Sequence, residues 1–135
     1  FSRHSTHYRL LAHINEVAEA GLMLADFAYS HWPDEWTKKL DRQELLQILL
    51  LHDLDKYLLL SDESLEMSIA HGTLSAMILN DLGFDSRVIE AVASHSPSAS
   101  LHLDDPASMI LHYCDLFSCD HIYMLVSRTP HYCMK

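Results

Sequence analysis

An adjacent imidazole and carboxylate, His52 and Asp53, are the residues best suited to chemistry in this chain. They directly follow Leu45–Leu51, a run that would be apolar on nearly every side of a helix, so both side chains are expected to lie inside the protein. A buried carboxylate without a partner costs on the order of several kcal/mol. The pair therefore implies a compensating cation, and a metal ion is one way to supply it.

Histidine is unusually frequent in the sequence, with 11 residues among 135. Imidazole is the commonest metal ligand and a natural acid or base near neutral pH. A single histidine more often lies on a surface or makes an ordinary hydrogen bond than binds a metal. The order of the histidines along the chain is therefore more informative than their number.

In that order the chain resembles the HD superfamily of metal-dependent phosphohydrolases. The signature of the superfamily is an upstream His, an adjacent His-Asp pair and a downstream Asp. The matching segments here are His13–Ala20, Leu50–Lys56 and Ile110–Phe117. The resemblance implies one metal site with nitrogen and oxygen ligands. The four ligands that it implies are His13, His52, Asp53 and Asp115.

Two further histidines match branches of the superfamily that bind a second metal. His71 and His95 lie between the His-Asp pair and the last Asp, as they do in those branches. The resemblance implies that they hold the second ion and that Asp53 bridges the two. A ligand set of imidazoles and carboxylates without thiolate favours iron or manganese, with cobalt, nickel, magnesium or zinc as alternatives.

Within the superfamily, the pattern and size are most similar to the bacterial HD-type symmetrical dinucleoside tetraphosphatases. The comparison runs through His13–Ala20 and His71–Leu82. The chain differs from that branch in Pro97–Ser100, where those enzymes carry an Arg, and in the apolar residues that follow Asp115. We therefore expect the substrate to be a nucleotide or another small phosphorylated metabolite.

The chemistry implied by the resemblance is metal-dependent hydrolysis of a phosphate ester or anhydride, in which the metals generate hydroxide from water at neutral pH. Asp53 and Lys56 are the predicted catalytic residues. Lys56 follows Asp53 by three positions, so a helix continuing through both would place its ammonium where it can contact a substrate phosphate. The alternative is that Lys56 is an ordinary solvated charge near Asp55 and Asp62.

Two other functions are compatible with the same residues. Some HD proteins are di-iron oxygenases that use a similar ligand set to cleave a bond in a small phosphonate or polyol. Others have lost ligands and serve as regulatory or binding modules. The cation expected at Lys56 favours hydrolysis, and the presence of every expected ligand favours an enzyme.

Composition predicts an all-α fold, because Gly and Pro number only 3 and 4 and most residues are good helix formers. Together with the resemblance it predicts one HD-domain or phosphodiesterase-like bundle of about five to seven helices over residues 1–135, with an irregular tail from about residue 127. Three segments are expected before the His-Asp pair: a helix over about 3–29, a connection over 29–39 with one short helix, and a helix capped by Asp41 that ends near His52-Asp53. Three more are expected after it: a helix from Ser61 or Asp62 to Leu82, a short helix from Val88 to about Ser94, and a last helix opening at Asp104–Pro106.

Charge and hydropathy limit the partners. The formal net charge of −10 repels a polyanion, so nucleic acid is not expected to bind. No apolar run approaches the roughly 20 residues that span a bilayer, so we expect a cytoplasmic protein without a membrane partner. Three cysteines with no paired spacing are expected to be reduced thiols. A homo-oligomer is compatible with the sequence.

Overall fold

A computed structural model describes residues 3–61, 72–95 and 105–124 of the chain, and these residues contain helices and no strand. The predicted all-α fold is therefore confirmed. The irregular tail predicted from about residue 127 and the predicted ligand His71 lie outside the described residues. The helices are α1 (Arg3–His31), α2 (Asp34–Thr37), α3 (Arg42–Leu51), α4 (Leu54–Ser61), α5 (Thr73–Asp81), α6 (Ser86–Ala93) and α7 (Pro106–Met124).

Acidic side chains fix the beginnings of three helices. Asp41 accepts a hydrogen bond of 2.9 Å from the backbone N–H of Glu44 at the start of α3. Asp85 accepts one of 2.9 Å from Arg87 at the start of α6. Asp105 accepts from the backbone N–H of Ser108 at 3.3 Å and from its hydroxyl at 2.7 Å in the first turn of α7. Each carboxylate satisfies a helix N-terminal donor, as the sequence predicted for Asp41.

The first helix is two residues longer than the sequence predicted. It ends at His31, followed by Trp32 and Pro33. A residue that precedes proline is disfavoured in the helical conformation, so the proline sets the end point through Trp32. The regular spacing of apolar residues ends before His31, so the predicted end of this helix came too early in the chain.

One helix was not predicted as a separate element. The sequence was interpreted as a single helix up to the His-Asp pair and a new one from Ser61 or Asp62, whereas α4 occupies Leu54–Ser61. The chain turns at His52 and Asp53 and then enters α4, so Lys56 lies in its first turn. The His-Asp pair therefore lies at the junction of two helices.

The centre of the structure is the packing of α1 against α3 and α7. The helix α6 packs against both α3 and α5, and α4 contacts α1 and α5. Aliphatic side chains are fully buried at these contacts, and they exclude water from the helix interfaces that carry the site. They include Val17, Leu45, Leu49, Val92 and Leu111.

Gly21 permits the close approach of α1 and α3. A Cβ atom at this position would lie 2.5 Å from Cδ1 of Leu49, well inside a van der Waals contact. The absence of a side chain lets Leu49 seat directly on the backbone of α1. The separation of the helices that carry His13 and His52 is therefore fixed partly by this glycine.

Among the described residues, no helix has the length and apolar character needed to cross a membrane.

Candidate metal centre

Three helices bring four of the predicted ligands together. His13 lies on α1, His52 caps the end of α3, Asp53 follows it, and Asp115 lies in the middle of α7. One ligand atom from each of the four lies within 4.8 Å of the others. We call these four residues the quartet. It forms because α1 packs against both α3 and α7, so residues separated by up to about a hundred positions meet at one point.

Within the quartet, imidazole nitrogens face carboxylate oxygens. His13 Nε2 lies 3.0 Å from Asp115 Oδ1 and 3.2 Å from Asp53 Oδ2. His52 Nε2 lies 3.4 Å from each of the same two oxygens. The side chains of His52 and Asp53 are fully buried, and that of Asp115 is 14% exposed. The four groups thus enclose a small, nearly dry polar space.

Backbone carbonyls orient two of the imidazole rings near Asp53. Nδ1 of His52 donates to the carbonyl oxygen of Leu49 at 2.8 Å, and Nδ1 of His95 donates to that of Val92 at 2.5 Å. A proton held on Nδ1 leaves Nε2 with a lone pair, which is the form that binds metals. These contacts therefore prepare both rings as ligands.

His13 is oriented by a side chain from α7. Its Nδ1 lies 2.9 Å from Oγ of Ser118, and the Ser118 hydroxyl in turn donates to the carbonyl oxygen of His13 at 3.5 Å. A hydroxyl that donates to that carbonyl can accept from Nδ1–H, which again leaves Nε2 for a cation. The sequence did not predict a role for Ser118, although this residue lies three positions after Asp115 on the same helix.

The donor set fits a divalent cation. Nε2 of His52 is buried and makes no hydrogen bond to any described residue, which is a rare and costly state for a ring nitrogen. It faces two carboxylate oxygens that repel each other unless positive charge lies between them. Imidazole and carboxylate are the ligands that first-row transition metals share in proteins. A metal held by the quartet would satisfy the nitrogen and neutralise the carboxylates together.

The pKa values of the quartet show the same demand for positive charge. Burial alone would lower the pKa of His13, but hydrogen bonds to Asp115 and Asp53 outweigh it and raise that pKa to about 12. The nearby carboxylates of Asp115 and Asp53 likewise outweigh burial and raise the pKa of His52 to about 9. Burial raises the pKa of Asp115, yet His13 and His52 hold it well below its usual range. The quartet thus attracts either protons or a cation.

The structure places His95 beside the quartet. Its Nε2 lies 3.6 Å from Asp53 Oδ1, the oxygen opposite the one that faces His13. Its ring meets that of His52 edge to face at 5.1 Å between centroids. Asp53 therefore presents one oxygen to His13 and His52 and the other to His95.

Lys56 reaches the same carboxylate from the first turn of α4. Its Nζ lies 3.4 Å from Asp53 Oδ2, and the side chain is 36% exposed. The half-exposed ammonium therefore lies between the buried quartet and solvent.

Asp55 has a structural role that the sequence did not predict. It was considered only as a neighbour of Lys56, but it is fully buried. Its two carboxylate oxygens accept hydrogen bonds from the backbone N–H groups of Lys56, at 2.8 Å, and Gly72, at 2.9 Å. Its own backbone N–H donates to Ser75 Oγ at 2.7 Å. Asp55 thus ties the start of α4 to the start of α5, a role that no local pattern signalled.

Gly72 packs tightly against the element that carries His95. Its φ of 94° lies in the left-handed region, and a Cβ there would be 2.9 Å from the carbonyl oxygen of Val92 and 3.3 Å from the His95 ring. Only glycine fits both the backbone conformation and the space. The hydrogen bond from Gly72 to Asp55 therefore supports the position of His95.

A thiol also borders the quartet, contrary to the ligand set expected from sequence. Sγ of Cys119 lies 3.5 Å from Asp115 Oδ1 and 4.0 Å from His13 Nε2. Burial raises the pKa of this thiol, so it donates to Asp115 as a neutral group. Its position four residues after Asp115 on α7 is the signal that could have predicted it.

Comparison with protein families agrees with this geometry. The family described as HD domain matches residues 10–119, a segment that begins just before His13 and ends at Cys119. The chain therefore belongs to the HD domain family, whose members are generally metal-dependent hydrolases. No curated protein and no solved structure is significantly similar to it.

Proposed function

We propose that the protein is a metal-dependent phosphohydrolase that cleaves a phosphate ester or anhydride in a nucleotide or another small phosphorylated metabolite. The observation that carries the proposal is the quartet, with its two carboxylates and the buried His52 Nε2 that has no hydrogen bond among the described residues. Membership of the HD domain family supports the reaction class.

His13, His52, Asp53 and Asp115 would hold a divalent cation. Such an ion, when bound, activates water as a nucleophile and neutralises charge on phosphoryl oxygens. The residues of the chain exclude water, orient the ligands and add positive charge. Buried walls exclude bulk water, and the backbone carbonyl of Leu49 holds His52 in its ligand form. The ammonium of Lys56 supplies a second positive charge at the half-exposed rim, where it can attract a substrate phosphate.

The position of His95 supports a site for two metals. Its Nε2 faces the second oxygen of Asp53, so in the proposal His95 and that carboxylate would both hold the second ion. His71 completes the second set in the proposal. Iron or manganese is the favoured metal, since imidazole and carboxylate dominate the ligands.

The proposed partner is a small anion. The net charge of −10 disfavours long polyanions, so a nucleotide suits the protein better than a nucleic acid. Local positive charge from the metal and Lys56 would overcome the repulsion over the short distance that a small substrate requires.

Phosphate release from a panel of nucleotides and sugar phosphates tests the proposal. The purified chain, loaded with manganese or iron, is assayed under air and under nitrogen beside two variants, Asp53→Ala and Asp26→Ala. Asp26 is an exposed carboxylate that pairs with Arg42 on the surface, so its removal controls for loss of charge. Metal-dependent release that is equal in both atmospheres and lost only in Asp53→Ala supports the proposal. Oxygen consumption without phosphate release would instead identify an oxygenase, and metal binding without any turnover would identify a binding module.

A further inference from the structure

Cys119 is a metal-ligating group at the edge of the quartet that the proposed function does not use. It lies one helical turn after Asp115, on the face of α7 that meets α1. Its Sγ contacts Asp115 Oδ1 at 3.5 Å and His13 Nε2 at 4.0 Å, so it touches two of the four residues. The thiol is half-buried, whereas Cys114 on the same helix is buried in the aliphatic core.

The neighbouring His52 is a second, independent observation that points to a ligand beside Cys119. Its Nε2 is fully buried, forms no hydrogen bond to the described residues, and points at the oxygen of Asp115 that Cys119 contacts. The nitrogen, the oxygen and the sulfur therefore surround one region. A thiol that merely filled space would not require an adjacent imidazole nitrogen to stay without a hydrogen bond.

The distances match those between neighbouring ligands of one ion. Zinc–sulfur and zinc–oxygen bonds of about 2.3 and 2.1 Å place two such ligands about 3.6 Å apart at a bond angle of about 110°. The observed separation between Cys119 Sγ and Asp115 Oδ1 is 3.5 Å. The corresponding separation for nitrogen and oxygen is about 3.4 Å. His52 Nε2 and Asp115 Oδ1 are 3.4 Å apart.

We propose that Cys119 is a thiolate ligand to the metal of the quartet, and that it shifts the selectivity of the centre from manganese and magnesium towards thiophilic ions such as zinc and cobalt. The inference rests on the proposed metal centre and revises its favoured ion from manganese to zinc or cobalt. On binding, the S–H bond breaks, a sulfur–metal bond forms, and the proton passes to the buffer. Thiolate is a soft ligand that hard ions such as Mg²⁺ avoid.

Cobalt(II) titration of the metal-free full chain tests this inference. Cobalt at a site with nitrogen and oxygen ligands gives visible d–d bands, and a thiolate ligand adds an intense near-ultraviolet charge-transfer band. The wild type is compared with Cys119→Ser and with two matched controls, Cys114→Ser and Cys133→Ser. We expect the charge-transfer band in the wild type and both controls. In Cys119→Ser we expect its loss while the d–d bands remain.

Charge-transfer absorption that persists in Cys119→Ser, or d–d bands without it in the wild type, would overturn the role of Cys119 and leave the metal centre standing. A wild type that binds no cobalt at all would overturn both. Circular dichroism verifies that Cys119→Ser folds, and Cys119→Ala provides a second variant without any oxygen ligand. In competition between zinc and manganese, we expect the preference of Cys119→Ser for zinc to fall on the order of tenfold. An unchanged preference would count against the proposal.

Discussion

His95 Nε2 and Asp53 Oδ1 lie 3.6 Å apart, on the side of that carboxylate away from His13. A carboxylate that meets imidazoles on both of its oxygens is suited to joining two metal sites. His95 contacts one oxygen of Asp53, and the quartet surrounds the other. A substitution of His95 can therefore affect one side of the centre and leave the other side intact.

Replacing His95 by Gln should remove one metal and keep the other. The variant loses a nitrogen ligand on the Oδ1 side of Asp53, while His13, His52 and Asp115 keep their places. Metal analysis after equilibration with manganese should therefore give about half of the wild-type content per chain. An unchanged content would contradict the second site, and complete loss would show that both ions depend on His95.

The change Asp53→Asn should abolish metal binding on both sides. An amide keeps the size of the side chain but lacks the charge that neutralises a cation, and Asp53 contacts both ligand groups. Isothermal titration with manganese should show affinity reduced by at least about 100-fold. Asp26→Asn, on the exposed surface of α1, is the control and should bind as the wild type does. Retention of tight binding by Asp53→Asn would rule out the central role of the carboxylate.

Asp55→Asn should destabilise the protein by about 1–3 kcal/mol, because both carboxylate oxygens accept from backbone N–H groups. An amide has one oxygen, so its NH₂ group would face one of those donors. Urea unfolding measures the change in the free energy of unfolding. Asp81→Asn, exposed at the end of α5, is the matched control and should change it by less than about 0.5 kcal/mol. Equal effects of the two substitutions would contradict this role for Asp55.

Lys56→Met should weaken substrate binding while metal content stays constant. The half-exposed ammonium lies at the rim and is not one of the metal ligands. On a substrate identified by the phosphate-release panel, KM should rise by about tenfold, which corresponds to the loss of one charge-assisted contact. Lys38→Met, an exposed lysine at the end of α2, is the control. A fall in metal content would instead show that Lys56 stabilises the quartet.

Stability without metal should fall as the pH rises above 6.5. The pKa of His52 is raised from 6.5 to about 9, so its protonated form favours folding. That contribution is complete below pH 6.5 and disappears as the pH passes through about 9. His13 acts in the same direction, with its pKa raised to about 12. Chelator-treated protein should thus unfold at lower urea concentration at pH 9 than at pH 6.5, and added manganese should reverse the trend because metals bind deprotonated imidazole. Stability without metal that rises over this range would contradict the assignment.

The order of residues in the sequence predicted much of the centre. His13, His52, Asp53 and Asp115 were expected to converge, and the structure brings them together. Apolar periodicity predicted the helices that carry them. Whether these residues bind metal stays a prediction, as do the extent of the domain and the substrate.

Supporting contacts were harder to predict, because they depend on packing between distant elements. Asp55 resembled a surface charge, since nothing local shows that Gly72 and Ser75 enclose it. The separate helix α4 was missed because the apolar run after Asp53 carries no cap or breaker where the chain turns. Ser118 and Cys119 were within reach of helical periodicity from Asp115, which places both on the face that meets α1.

The contact between Gly21 and Leu49 affects the geometry of the metal centre from a distance. Gly21 lies eight residues from His13, about 12 Å along the helix axis, and it touches no ligand. A side chain there would force Leu49 to shift, and a shift that carries α3 with it would move His13 away from His52. Substitutions at position 21 would therefore change the affinity of the quartet for its cation, although Gly21 is not itself a ligand.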